Sequence, residues 1–337
     1  MRKTVARVGC LVSMLTFLGG GHAQAQPRLP LTDRPAWTAG VAGADEAVDP
    51  PTVFRSGVDL VSLSVVVTGP RDQFIAGLTA ENFAVYEDGV QQDVSFFAAT
   101  AVPLDLSILL DTSASMTDKM QTVHEAAIGF ASSVRPGDRV AIVDIKDGVR
   151  TLHGLSEDPA GAPAAIRQTT ARGGTALYNG LYLTLKEMVT QRRADGGMRR
   201  EAIVVLSDGI DTSSLVGFED VMAVAKESGI AVYTITLKPS ALIQGALSNG
   251  RQRYSESDFS MRQIAEETGA RAFFPTAIAE LAGVYGLIAE ELASQYALGY
   301  TPKNPVGDGS YRRVIVRVDE AGARTRARSG YVAADAW

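Results

Sequence analysis

Five oxygen-bearing side chains in this chain stand where they can share one cation. Asp111, Ser113 and Ser115 alternate along one segment, Thr175 follows two glycines, and Asp208 precedes a third. None offers nitrogen or sulfur, so the ion they suit is a hard divalent one, which prefers oxygen. Mg2+ in particular takes few carboxylates, keeps waters and prefers an octahedron. Alternate residues of an extended segment point the same way, as wrapping one ion requires. Two carboxylates neutralise a doubly charged ion yet leave a coordination position that an acidic group from outside can fill.

Each of the five also has a plainer role. An Asp behind a strand is commonly a cap or turn residue, Ser113 and Ser115 can cap a following helix, Thr175 can do the same, and Asp208-Gly209 is a common turn pair. Their joint occurrence, in this order and behind two wholly apolar runs, separates the two readings. Two further carboxylates lie nearby. Asp144 reads as a solvated loop charge and Asp211 as a cap or turn residue, with help to the site as the alternative for each.

The elements that must position these groups follow from the pattern. Ile108-Leu109-Leu110 runs into Asp111, and Ala202-Ile203-Val204-Val205-Leu206 runs into Ser207 and Asp208. Short apolar runs of this kind read as buried parallel strands, and ligands of open α/β sheets bind beyond the carboxyl ends of such strands. From Leu104 onward strands alternate with helical segments: a helix over about 118–133, a strand at 140–145, a short helix at 159–170, and a helix through Leu177, Leu181, Leu185 and Met188. A helix at 219–228, a strand at 231–236, a polar loop at 239–257, a helix at 261–268, a strand at 271–274 and a helix through Leu281, Tyr285, Ile288 and Leu292 complete the series. The expectation is a Rossmann-like, doubly wound, mostly parallel sheet over residues 104–294.

The flanks speak a different grammar. Val61, Leu63, Val65 and Val67 alternate, Phe83 to Tyr86 precedes the turn Glu87-Asp88-Gly89, and Val94 to Phe97 follows, so residues 52–100 read as antiparallel strands. Residues 295–337 supply three more, at 296–300, 311–318 and 325–331, and both ends should build one small β unit beside the α/β domain.

Residues 1–25 read as a signal peptide: Arg2, Lys3 and Arg7 precede the apolar run Val8 to Leu18, and Ala23-Gln24-Ala25 supplies a cleavage site. The alternative, a membrane anchor, needs a longer apolar stretch. Residues 26–51, rich in Pro, Ala, Gly and Asp, read as a flexible lead-in. Removing the signal takes away Cys10, the single cysteine, so neither a disulfide nor thiolate chemistry is expected, and the formal charge goes from -6 to -9. That acidic balance argues against nucleic acid as a partner. Export places the protein in the periplasm or outside the cell, with no further membrane span.

With these positions in place, the chain resembles the von Willebrand factor type A domain family. Asp111-Thr112-Ser113-Ala114-Ser115 matches its D-x-S-x-S motif, Thr175 in Gly173-Gly174-Thr175 its single threonine, and Asp208 in Leu206-Ser207-Asp208-Gly209 its second aspartate. The resemblance covers about residues 104–294 and implies an intact metal-ion-dependent adhesion site. It implies direct metal contact by Ser113, Ser115 and, in the ligand-ready state, Thr175, with Asp111 and Asp208 often acting through water. The flanks, Phe83 to Gly89 and Tyr296-Ala297-Leu298-Gly299-Tyr300-Thr301-Pro302, look like those of bacterial exported proteins related to that family.

The function expected is therefore a module that holds Mg2+, or Mn2+ or Ca2+, and grips an Asp or Glu side chain of a partner protein, without catalysis. A structural or assembly role, with the metal stabilising the domain, is the alternative. A Mg2+-dependent phosphatase of the haloacid dehalogenase type is the nearest enzyme. It needs a second Asp two residues after the first, where Ser113 stands, and a serine cannot perform that proton transfer near neutral pH. No G-x-S-x-G, P-loop or dinucleotide fingerprint occurs in the mature chain, and His124 and His153 read as surface residues, in a helix and a loop.

Overall fold

The computed structural model describes residues 60–99, 102–158, 160–195, 198–208, 210–237 and 255–333. The expected signal peptide and lead-in, and most of the polar loop at 239–257, lie outside these residues. Among those described, no helix is long and apolar enough to cross a membrane.

The chain opens with β1 (Val61–Thr68), β2 (Phe83–Glu87), β3 (Val90–Gln92) and β4 (Val94–Ala98). Asp88 and Gly89, both at positive φ, turn β2 into β3. The α/β part follows as β5 (Leu104–Asp111), α1 (Met120–Ala131), β6 (Arg139–Ile145), β7 (Val149–Ser156), α2 (Gly161–Gln168), α3 (Leu177–Asp195), β8 (Arg200–Ser207), α4 (Phe218–Ser228), β9 (Ala231–Thr236), α5 (Glu256–Glu267), β10 (Ala272–Phe273) and α6 (Leu281–Ala293). The chain closes with β11 (Tyr296–Tyr300), β12 (Tyr311–Val318), β13 (Arg324–Arg326) and β14 (Gly330–Val332).

The central sheet has the order β10-β9-β8-β5-β6-β7 and is parallel except for β7. Every residue of β5 is buried, because helices cover both faces. Leu106, Ile108 and Leu110 face α1, α2 and α6 through Val123, Phe130, Ile166, Tyr285 and Ile288. Leu109, Ile203 and Val205 face α3, α4 and α5 through Leu181, Leu185, Val221 and Ile264. Gly180 lets α3 close on the sheet, since a Cβ there would come within 2.5 Å of Ile145 Cδ1. The strand order turns back at β5, with β6 on one side and β8 on the other, so a crevice opens beyond the carboxyl ends of β5 and β8.

The strands at the two ends of the chain build two antiparallel sheets, β13-β1-β11-β4 and β14-β12-β2-β3. They share one core containing Leu63, Val65, Val85, Leu298, Tyr300, Val314 and Val316, which makes them a small sandwich. Arg326 of β13 reaches Glu291 of α6 at 2.6 Å, and that carboxylate, 1% exposed, also accepts the Tyr233 hydroxyl.

Three expectations are corrected. The residues carrying His153 form β7 rather than a loop; this edge strand is only partly buried and includes Gly154, so it lacks the alternation that marks a strand. The strand expected at 325–331 is two strands in different sheets, β13 against β1 and β14 against β12. The second lies so near β12 that a Cβ on Gly330 would fall 2.2 Å from Arg312 O. The helix expected from about 118 opens instead as a 3-10 turn over Ala114–Lys119.

Candidate metal site at the sheet's carboxyl edge

Asp111 is the last residue of β5 and is fully buried. Its Oδ1 accepts the Ser113 amide at 2.9 Å and its Oδ2 the Ser207 hydroxyl at 2.6 Å, so the carboxylate bridges the ends of β5 and β8. Burial pushes the Asp111 carboxyl above the usual carboxylate range and the Asp208 charge adds to this, while the hydrogen bonds from Ser113 and Ser207 oppose it. Ser113 lies at the head of the following 3-10 turn without capping it; its hydroxyl instead meets that of Ser115 at 3.0 Å. Ser115 is exposed, whereas Ser113 is 2% exposed.

The loop carrying Thr175 is tied to the same segment through its backbone. Arg172 N donates to Thr112 O at 2.8 Å and Ala114 N to Gly173 O at 3.0 Å. Gly173 has φ of +72°, a conformation that favours glycine, and a Cβ there would displace the Asp147 carboxylate. Thr175 is buried, and its hydroxyl has no hydrogen-bond partner among the described residues. It does not cap α3. That task falls to Asp211, which accepts Tyr178 N at 2.9 Å, and to Ser214, whose hydroxyl accepts Asn179 N at 2.9 Å. Asp208, 8% exposed, follows β8 directly and accepts Ile210 N at 3.3 Å.

The structure thus brings the segments bearing all five candidates, Asp111, Ser113, Ser115, Thr175 and Asp208, to one rim. Their donor set is two carboxylates and three hydroxyls, and neither carboxylate has a Lys, Arg or His ion partner among the described residues. Such an all-oxygen set suits a hard divalent cation. Among the described residues no group of three or more His, Cys, Asp or Glu side chains converges on a metal position, so any ion here depends on hydroxyls.

Asp144 departs from expectation. It is 2% exposed rather than solvated, pairs with Lys146 Nζ at 2.8 Å and accepts the Thr112 hydroxyl in a short hydrogen bond. The x of the D-x-S-x-S motif is therefore the anchor that fixes the motif to β6, a role that motif spacing does not carry. Thr212 was equally hidden: its hydroxyl accepts Thr175 N at 2.9 Å, and its amide donates to Thr175 O. Asp211 is the turn and cap residue that its spacing suggested. His124 and His153 are both partly buried, and His124 Nε2 lies 2.7 Å from Thr169 Oγ1.

Replacing Thr112 with Val keeps the shape and removes the hydroxyl, leaving the buried Asp144 carboxylate with Lys146 alone. The expected cost is about 1–3 kcal/mol of stability, as for a buried acceptor that loses its partner. Urea unfolding of the variant beside the parent measures it; an unchanged midpoint would mean that the hydroxyl anchors nothing.

Comparison with known proteins adds four findings. Residues 106–210 match the model of the von Willebrand factor type A domain family. A UPF0353 protein from Mycolicibacterium vanbaalenii is 24% identical over 237 residues, covering 66% of this chain and 69% of its own. Among solved structures, a von Willebrand factor type A protein from Catenulispora acidiphila is 15% identical with a TM-score of 0.46, covering 83% of this chain and 75% of its own. Proximal thread matrix protein 1 from the mussel byssus, in a form described as having a zinc-occupied MIDAS motif, is 16% identical with a TM-score of 0.45, covering 60% of this chain and 48% of its own. The sequence match to the von Willebrand factor type A domain model runs from within β5, through the loop bearing Thr175, to just past β8, and so spans all five candidate residues.

Proposed function

We propose that this protein is a divalent-metal-dependent binding module, exported to the periplasm or beyond, whose Asp111, Ser113, Ser115, Thr175 and Asp208 hold Mg2+, with Mn2+ or Ca2+ as substitutes. The observation that carries the reading is the pair of buried carboxylates at one rim with three hydroxyls around them and no cationic side chain paired to either. Burying two like charges without a counter-ion is costly, and a cation held there removes the cost. When bound, the ion offers an open coordination position to an Asp or Glu side chain of a partner protein. The residues of this chain do the rest: Asp144 and Lys146 fix Thr112, Asp147 holds Gly174 N at 2.5 Å, and Thr212 holds Thr175, so that the rim is rigid before a partner arrives.

The domain division proposed is residues 104–294 as the recognition domain, with 52–100 and 295–337 as the sandwich. No catalysis is assigned, since Ser113 occupies the place where a phosphoryl-transfer acid would stand. A pull-down from the native host, run in parallel with Mg2+ and with EDTA, tests the reading. Partners should be retained with Mg2+ and released by EDTA at moderate salt. Capture that survives EDTA would overturn the metal bridge, and a metal that raises stability without affecting capture would favour the structural role.

A further inference from the structure

A second site is suggested at the opposite end of the α/β sheet. Arg200, which begins β8, lines a cavity of about 660 Å3 that is open to solvent, while Ser207 at the far end of the same strand meets Asp111. Seven residue steps of strand separate the two, about 23 Å. One wall of the cavity comes from the sandwich, with Leu60, Ser62, Pro302 and Val306, and the other from the ends of α3 and α4 and the start of β8. Its volume lies within the range of small-molecule sites, roughly 300–1,000 Å3.

The charges of the lining do not balance. Arg192 pairs with Glu201, Arg199 with Asp105 and Arg312 with Glu87, while Arg200 donates to the carbonyls of Val102 and Leu292. Arg328 has no such arrangement. Its guanidinium makes no ion pair and no hydrogen bond among the described residues, and its Nε is buried without a partner. It packs over the Tyr331 ring at 5.4 Å and against Gly229, where a Cβ would fall 2.2 Å from its Nη1. Burial pulls the group down to about 10, with the Arg192 charge acting in the same direction, yet it stays protonated at neutral pH. Arg312 Nε, in the same lining, is also buried without a partner. Arg328 is only partly buried, so its guanidinium, with Nε buried and unpartnered, remains reachable from the cavity, and a planar guanidinium suits a two-oxygen head group.

We propose that this cavity binds a small organic oxyanion, its head group on Arg328 and its apolar body against Leu60, Met198, Pro302 and Val306. The site does not depend on the metal rim, so its test is run in EDTA. Calorimetric titration of the full chain with n-butyl phosphate, and separately with hexanoate, distinguishes a phosphate from a carboxylate head group. At least one should bind, and Arg328→Met should weaken it by about ten- to hundredfold, as expected for loss of a charge-assisted hydrogen-bonded pair. Ser62→Trp, at an exposed position of β1 that lines the cavity, should abolish binding by filling it, and decides the matter if the Arg328 variant does not fold. Failure of both probes to bind at millimolar concentration, or binding that persists in either folded variant, would overturn the proposal.

Discussion

Asp111→Asn is expected to abolish stabilisation by Mg2+ while leaving the metal-free protein at least as stable as the parent. The Asn oxygen can still accept Ser113 N and its amide can donate to Ser207, so both hydrogen bonds survive in form. What goes is the negative charge, which is buried and repelled by Asp208. For the parent, free Mg2+ at a hundred times its dissociation constant adds about 2.7 kcal/mol, which at this chain length raises Tm by roughly 4–5 °C. Thermal unfolding of parent and variant, each in Mg2+ and in EDTA, gives the four values needed. A Mg2+ increment that persists in the variant would remove Asp111 from the site.

Glu87→Leu should be the most destabilising single change in the sandwich. Glu87 is 3% exposed and accepts the hydroxyls of Tyr300 and Tyr331, each at 2.8 Å, and Arg312 Nη1 at 3.1 Å. Leucine fills the volume but strands the Arg312 charge, which is itself only 3% exposed, and leaves both hydroxyls without that acceptor. Breaking one side of a buried pair costs about 3–5 kcal/mol, a fall in Tm of roughly 5–8 °C for a chain of this size. Adding Arg312→Met should recover much of the loss, because the stranded charge dominates it and two apolar side chains can replace a buried pair at little net cost. Urea midpoints of the two variants and the parent check both steps. If the double change is no better than the single one, the tyrosine hydroxyls, and not the arginine, carry the energy.

The legible parts of this protein were those written in short-range pattern. A run such as Ile108-Leu109-Leu110, apolar at every position and ended by small polar residues, reads as a strand covered on both faces, and the structure buries all of β5. The strand expected at 231–236 is β9 with the same bounds, a short run of Val, Tyr, Ile and Thr, the β-branched and aromatic residues that favour strands. The five rim residues were legible for a related reason: Asp111, Ser113 and Ser115 alternate from the end of one apolar run, Asp208 follows another with only Ser207 between, and Thr175 follows a glycine pair. Alternation revealed the strands at both chain ends as well.

What local pattern could not carry was partnership across the fold. Asp144 looked like a loop charge because its neighbours in sequence say nothing of Thr112, 32 residues earlier, or of the Lys146 ammonium folded back onto it. The break between β13 and β14 is invisible in the residues themselves, since it arises from two sheets competing for one segment. The edge strand β7, half in water, lacks the periodicity that burial imposes on inner strands. Arg328 stands in a stretch of three arginines, Arg324, Arg326 and Arg328, alternating with small residues, and only packing separates Arg326, which finds Glu291, from Arg328, which finds no carboxylate. The sequence by itself determined the sheet, its two covering layers and the five oxygens at its edge, because periodicity and turn chemistry act over a few residues. Tertiary structure alone decided which charges are satisfied, because a carboxylate's partner is set by distance in space and desolvation, and neither is a property of its neighbours in the chain.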